Sequence, residues 1–148
     1  MKASAAVLVP IFALLAGCAA TGGSITDPVG PDKVVYHFNS GLEQASNGLR
    51  NIRNHLEVDP KAKIVVVAHA GGVDFLMKGA KDPNGNRYQD IVENLKNEGG
   101  VTFEVCEITL RNRKLKKEQF IEEVAYVPTG VAEITHLQQR EGYAYLKP

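Results

Sequence analysis

The 148-residue sequence has only two cysteines, and its 17 basic and 17 acidic side chains give a formal net charge of zero. This balance excludes a strongly basic footprint, so nothing in the composition indicates a nucleic-acid partner. The sequence also lacks a G-x-S-x-G nucleophile motif, a clear pair of carboxylates, internal repeats and a second domain. What is left is one domain, long enough for a sizeable core, with few candidates for chemistry.

Residues 1–18 have the pattern of an export signal peptide. Lys2 precedes an apolar run over residues 5–16, and small residues lead to Cys18. The run is short for a membrane span, and a small-residue cleavage site is typical of a signal peptide. Segment 15–18, LAGC, resembles the bacterial lipobox, in which the cysteine is lipidated and becomes the new N-terminus. A plain signal peptide and an uncleaved membrane anchor are the alternatives.

The predicted signal places the protein in the cell envelope. Ala19, rather than Asp, follows the cysteine, and in a Gram-negative host this favours a lipid anchor in the outer membrane, facing the periplasm. Residues 19–32 are small, polar and rich in Gly and Pro, which is typical of a flexible tether. The sequence therefore predicts a signal peptide over 1–18, a tether over 19–32 and one domain over 33–148.

Predicted strands and predicted helices alternate along this domain. Runs rich in β-branched and aromatic residues predict strands at 33–38, 64–68, 101–106, 124–127 and 143–146. The order β-α-β-α-α-β-α-β-α-β indicates an α/β fold: one three-layer domain with a mainly parallel sheet of about five strands and right-handed crossovers. Ser40 and Glu43 form an S-x-x-E pattern, which predicts a capping box at the start of the first helix.

The candidate functional residues follow the predicted strands. In open α/β sheets, ligands bind beyond the carboxyl ends of the strands. His69, Gly71 and Gly72 follow the second strand, Cys106 ends the third, and Thr129 follows the fourth. In a parallel sheet these ends share one edge, so we expect His69 to approach the Cys106 thiol and help to activate it. Gly71, Gly72 and Thr129 are the candidate substrate-binding residues.

Each candidate also has a purely structural explanation. A free cysteine is often buried and only packs. A histidine at a strand end can be an ordinary hydrogen-bonded side chain, and a Gly-Gly pair after a strand is usually a sharp turn. The basic run 111–117, RNRKLKK, is interpreted as a solvated face, with a docking patch for an acidic partner as the alternative.

Lipidation of Cys18 would leave Cys106 as the only thiol, and this thiol needs activation to act as a nucleophile. Its pKa must fall below the usual value of about 8.5. A helix N-terminus or a nearby cation lowers it, whereas the carboxylate of Glu107 opposes this if it points at the sulfur. Cys106 and His69 supply two metal ligands, and a structural zinc site takes four, so no metal and no cofactor are predicted.

Three segments resemble the DsrE/DsrF-like family of small α/β proteins. They are KIVVVAHAGGVDFL at 63–76, GVTFEVCEITLRNRKL at 100–115 and VAYVPTGVAEITHLQQREGYAYLKP at 124–148. The resemblance covers 33–148 and implies a parallel α/β sheet and assembly into homo-oligomers, often trimers or hexamers. In sulfur-handling members, a cysteine matching Cys106 carries sulfur as a persulfide, which a partner donates and the protein passes on.

The sequence supports two hypotheses. The first is an envelope-located sulfur carrier or sulfurtransferase that uses Cys106 as a persulfide-forming thiol, with unknown sulfur donor and acceptor. The second is a non-catalytic, lipid-anchored oligomer that binds a ligand or partner, in which Cys106 is core packing. The well-understood sulfur-relay members are cytoplasmic, whereas this chain is predicted to be exported, so the usual intracellular partners would be out of reach.

Overall fold

A computed structural model describes residues 30–148 of the chain. The predicted signal peptide over 1–18, its lipobox cysteine Cys18 and nearly all of the predicted tether lie outside the described residues. None of the helices in the described part has the length and the apolar content needed to span a bilayer.

Strands and helices alternate through residues 30–148, as the sequence predicts. The strands are β1 (Lys33–Phe38), β2 (Lys63–Ala68), β3 (Thr102–Cys106), β4 (Val124–Val127) and β5 (Ala144–Leu146). The α-helices are α1 (Leu42–Val58), α2 (Tyr88–Gly99), α3 (Glu107–Arg113) and α4 (Gly130–Glu141). Two short 3-10 helices, Ala70–Leu76 and Lys117–Gln119, follow β2 and α3.

The five strands form one sheet in the order β4-β3-β2-β1-β5, and every neighbouring pair is parallel. The predicted fold class is therefore confirmed. Because all strands run in the same direction, their carboxyl ends lie at one edge of the sheet, which is where ligands bind in such folds.

The two faces of the sheet carry cores of very different size. The larger core lies under α1, α2 and the first 3-10 helix, and its fully buried members include Phe38, Phe75, Phe103 and Tyr88. The smaller core lies under α4 and consists of Val35, Val65, Val67, Ile134 and Leu137, with Tyr143 packed against it. We call the side of the sheet that bears this smaller core the α4 face.

One local prediction differs from the structure. The capping box is wrong: α1 begins after Gly41 without a side-chain cap, and the side chain of Gln44 instead accepts the backbone N–H groups of Asn39 and Ser40, both at 2.8 Å. The helix after Cys106 begins directly at Glu107 and ends at Arg113. This start determines the surroundings of Cys106.

Candidate functional site

Cys106 and His69 lie side by side at the carboxyl edge of the sheet. β2 and β3 pair Ala68 with Val105, and His69 and Cys106 are the next residues along each chain. Side chains alternate between the two faces of a strand. Val105 belongs to the larger core, so Cys106 is on the α4 face, as is His69, which follows Val67 by two residues.

Gly130, the first residue of α4, covers both side chains closely. A Cβ at this position would lie 3.4 Å from the Cβ of Cys106, 3.4 Å from the Cβ of His69 and 3.2 Å from Cγ1 of Val67. Glycine therefore permits the start of α4 to approach the ends of two strands. Its backbone N–H donates a hydrogen bond to the Cys106 sulfur.

Cys106 is 4% exposed, yet the pKa of its thiol is lowered from the ordinary value. Burial alone acts in the opposite direction and is the largest single influence. Hydrogen bonds to the sulfur from the backbone of Gly130, the side chain and backbone of Thr109 and the backbone of Ile108 together outweigh it. Donors that stabilise the charged form lower a pKa in this way, so the geometry favours the thiolate.

Thr109 is a site residue that the sequence analysis missed. Its side chain is buried, and its hydroxyl oxygen accepts the backbone N–H of Ala70 at 2.9 Å. With that acceptor position filled, the hydroxyl proton is free for the Cys106 sulfur. Ala70 holds this arrangement in a left-handed conformation, with φ at 50°. The signal available in the sequence was a hydroxyl residue three positions after the cysteine, on the first turn of a helix.

A pocket of about 480 Å³ opens beside the sulfur. Cys106, His69, Gly71, Thr109, Thr129 and Arg113 are among its lining residues. Thr129 precedes α4, and its side chain makes no capping hydrogen bond there. The pocket thus brings together every sequence-predicted site residue of the domain except Gly72.

Gly72 lies behind the pocket, not on its wall. It is buried, and a Cβ there would come within 2.2 Å of the Phe38 carbonyl oxygen. This glycine is needed for the close approach between the first 3-10 helix and the end of β1. Its neighbour Gly71 is the member of the pair that borders the pocket.

Charged side chains near the pocket are held in ion pairs. Arg113 donates to Asp74 Oδ1 at 2.6 Å and to the Ala70 carbonyl oxygen at 2.8 Å, so one cation of the basic run 111–117 lies at the pocket. Glu107 is paired with Lys117 at 2.5 Å and is not a cause of the Cys106 shift, so its carboxylate does not oppose ionisation of the thiol.

His69 is also hydrogen-bonded away from the sulfur. Its Nε2 lies 2.6 Å from Nε2 of His37, and Nδ1 of His37 lies 2.6 Å from Oη of Tyr145. Burial, then the charges of His69 and Lys147, lowers the pKa of His37 to about 4. Burial and then the charge of Lys147 lower the pKa of His69. Both imidazoles are therefore neutral at neutral pH.

A second group of potential ligands lies away from this pocket. Asp32, His55 and Asp59 place one ligand atom each within 4.8 Å of one another, and they are the only such group of three in residues 30–148. The Asp59 carboxylate accepts backbone N–H groups of Asp32 and Lys61, which accounts for its position without a metal. Cys106 and His69 take part in no group of this kind within the described residues.

Comparison with known proteins identifies relatives of the whole described region. The sequence profile of the DsrE/DsrF-like family matches residues 32–148. The solved structure of the protein of unknown function MTH1491 from Methanobacterium thermoautotrophicum is 30% identical, with a TM-score of 0.68 over 79% of this chain and 99% of that chain. The ychN protein from E. coli is 19% identical, with a TM-score of 0.66 over the same shares, and supports the fold. No curated protein matches.

Proposed function

Because the chain belongs to the DsrE/DsrF-like family, we propose that it is a sulfur carrier that holds sulfur on Cys106 as a persulfide. The family is associated with sulfur relay, and this chain supplies one thiol in the described residues. The observation that carries the proposal is the set of hydrogen-bond donors around the Cys106 sulfur, next to an open pocket. A thiolate is the nucleophile in thiol–disulfide chemistry, and these donors favour it.

The chemistry requires a thiolate and room for a sulfur donor. The Cys106 thiolate attacks the outer sulfur of a persulfide, and a new S–S bond forms as the donor's S–S bond breaks. An acceptor thiolate then attacks the outer sulfur of the Cys106 persulfide and releases the thiolate again. The pocket of about 480 Å³ has room for a small donor or for the end of a partner's side chain.

Three further side chains support this reaction by their position. His69 borders the pocket with a neutral imidazole, which is suited to exchanging protons with a bound donor. Gly71 and Thr129 line the same pocket, so their backbone and hydroxyl groups are the ones we assign to holding the donor. The buried hydroxyl of Thr109 belongs to the thiolate-stabilising set.

The direct test is mass spectrometry of purified protein after incubation with a persulfide or with thiosulfate. We expect Cys106 to gain one sulfur atom and to lose it to an added thiol acceptor. A Cys106→Ser variant provides the control and gains none. If the unmodified protein gains no sulfur from several donors, the proposed function is wrong.

We also propose that the protein is lipid-anchored through Cys18 in the envelope and assembles into a homo-oligomer, with a trimer or a hexamer expected. The support for assembly is an apolar surface next to the pocket, where Val131 is 63% exposed and Ile108 is 37% exposed. Membrane fractionation of the full chain with and without a Cys18→Ala change tests the anchor, and native mass spectrometry tests the subunit number. A monomer at micromolar concentration would contradict the assembly.

The second candidate function is ligand or partner binding without chemistry. The observation that favours it is the low exposure of Cys106, at 4%, which is typical of a packed cysteine. Alkylation of the native protein separates the two. Rapid labelling near neutral pH supports the sulfur carrier, and labelling only after denaturation supports the binding protein.

A further inference from the structure

Four polar side chains from neighbouring strands form a row along the carboxyl edge of the sheet. Tyr145 belongs to β5, His37 to β1 and Cys106 to β3, and His69 directly follows β2. Hydrogen bonds of 2.6 Å join His69 to His37 and His37 to Tyr145. We propose that Tyr145 and His37, together with His69, form a proton relay that connects the Cys106 pocket with solvent.

The register of the sheet explains why these side chains meet. Tyr145 pairs with Val35, and His37 follows Val35 by two residues on the same face. His37 in turn pairs with Val67, and His69 follows Val67 by two residues. Each step of the row is therefore a diagonal step between adjacent strands on the α4 face, a distance that aromatic side chains can bridge.

The two ends of the row face different surroundings. At one end, His69 lines the Cys106 pocket, and its Nδ1 has no hydrogen-bond partner among residues 30–148. At the other end, Tyr145 is 40% exposed and its hydroxyl can exchange protons with water. The inner His37 is held between them, with both ring nitrogens in hydrogen bonds.

The relay works in both directions because both rings are neutral. A neutral imidazole has one N–H donor and one acceptor nitrogen. When the Tyr145 hydroxyl donates to His37 Nδ1, His37 Nε2 donates to His69 Nε2 and His69 Nδ1 carries a proton toward the pocket. When each bond reverses, His69 Nδ1 becomes an acceptor. The buried setting of both rings and the charge of Lys147 keep them neutral.

The catalytic use of the relay rests on the proposed function. During sulfur uptake, the relay supplies one proton. The Cys106 thiolate forms an S–S bond to the outer sulfur of R–S–SH, and the donor's S–S bond breaks. The leaving R–S⁻ keeps the electron pair and takes the proton from His69 Nδ1. His37 Nε2 reprotonates His69, Tyr145 Oη reprotonates His37, and water reprotonates Tyr145, so no ring keeps a charge.

Nuclear magnetic resonance of the imidazole nitrogens tests the relay without any sulfur chemistry. In the unmodified protein at neutral pH, we expect the nitrogen shifts of His37 and His69 to be averaged between the two tautomers. Tyr145→Phe removes the hydroxyl that exchanges protons with solvent. One tautomer should then dominate, and the two nitrogen shifts within each ring should move apart. Tyr143→Phe and His136→Gln are the matched controls and should leave them unchanged. Doubly protonated rings at neutral pH, or shifts that Tyr145→Phe does not move, would overturn the relay.

Single-turnover sulfur uptake provides the functional test. We expect Tyr145→Phe and His37→Gln to slow uptake about tenfold at saturating donor, less than the roughly 10²–10⁴-fold effect of a general acid–base group, because His69 remains. Donor binding should be unchanged, and the slower rate should recover as small proton donors are added. An unchanged rate would show that the row is structural only. If the unmodified protein takes up no sulfur, the proposed function fails, and the nitrogen shifts alone decide the relay.

Discussion

Cys106 and Glu104 are two ionisable residues on the same strand, two positions apart and both on the α4 face, yet their pKa values shift in opposite directions. Burial is the largest influence on each and raises both pKa values. Hydrogen-bond donors reverse it at Cys106, whose pKa is lowered. Glu104 has no such donors on Oε2, which is buried without a hydrogen-bond partner among residues 30–148. Its pKa rises to about 7, by burial and then by the charges of Glu133 and Glu141.

The comparison indicates that position in the sheet decides in which direction the pKa of a buried group shifts. Cys106 ends its strand, where the first residues of α3 and α4 offer free N–H groups. Glu104 lies within the strand, where the backbone N–H groups of the neighbours are used in the ladder. The carboxyl edge is therefore the place at which this fold can stabilise an anion without a cation.

Gly130→Ala should break the arrangement most severely. The new Cβ would lie 3.2–3.4 Å from atoms of Val67, His69 and Cys106, so α4 or these neighbours must give way by a few tenths of an ångström. We expect this adjustment to move the Gly130 N–H away from the sulfur. We expect a loss of about 1–3 kcal/mol in the free energy of unfolding and a rise in the thiol pKa. Denaturant unfolding and native alkylation measure the two effects. An unchanged alkylation profile would contradict the role of Gly130.

Thr109→Val should remove one donor and leave the fold. The Cys106 pKa should rise, and the Ala70 N–H loses its acceptor, which costs about 1–2 kcal/mol of stability. Native alkylation at neutral pH should slow several-fold. Thr109→Ser keeps the hydroxyl and should restore the rate, and Thr135→Val on the exposed side of α4 serves as the matched control. Equal rates in all four proteins would count against a hydroxyl donor.

Glu104→Gln should change the pH dependence of stability. The folded protein binds the Glu104 proton more tightly than the unfolded chain, because the pKa is about 7 folded and 4.5 ordinarily. The contribution of Glu104 to the free energy of unfolding is therefore fully present below pH 4.5 and is lost as the pH rises through about 7. After allowance for solvent screening, the variant should be more stable by about 1 kcal/mol at pH 8. Glu98→Gln is the exposed control and should keep the pH dependence of the unmodified protein. If Glu104→Gln keeps it as well, the raised pKa of Glu104 is wrong.

Glu107→Gln should have the smallest effect, although Glu107 is next to Cys106 in the sequence. Its carboxylate is directed to Lys117 at the surface, and an exposed ion pair contributes at most about 1 kcal/mol. We expect the alkylation rate and the thiol pKa to stay as they are. A clear fall of the thiol pKa in this variant would place the carboxylate nearer to the sulfur than the structure does.

The parts of this site that depend on strand ends could be predicted from the sequence. Apolar runs located β2 and β3, and parallel strands bring their ends together, so the proximity of His69, Cys106 and Thr129 was predictable. The role of Thr109 was missed, because it depends on the contact that the first turn of α3 makes with Ala70 and the sulfur. His37 and Tyr145 were missed because they meet only when β5 is added beside β1, and strand order is not encoded in periodicity. The positions of Gly71 and Gly72 follow from the left-handed turn at Ala70.

The ultraviolet absorbance of the thiolate, followed against pH with the Cys106→Ser protein as the baseline, measures the central property of the site. The donors from Gly130, Thr109 and Ile108 predict that Cys106 ionises with a pKa below that of a free cysteine, about 8.5, in the folded protein. A midpoint at or above that value would show that burial prevails over the hydrogen bonds, and Cys106 would then be a packed side chain without the proposed chemistry.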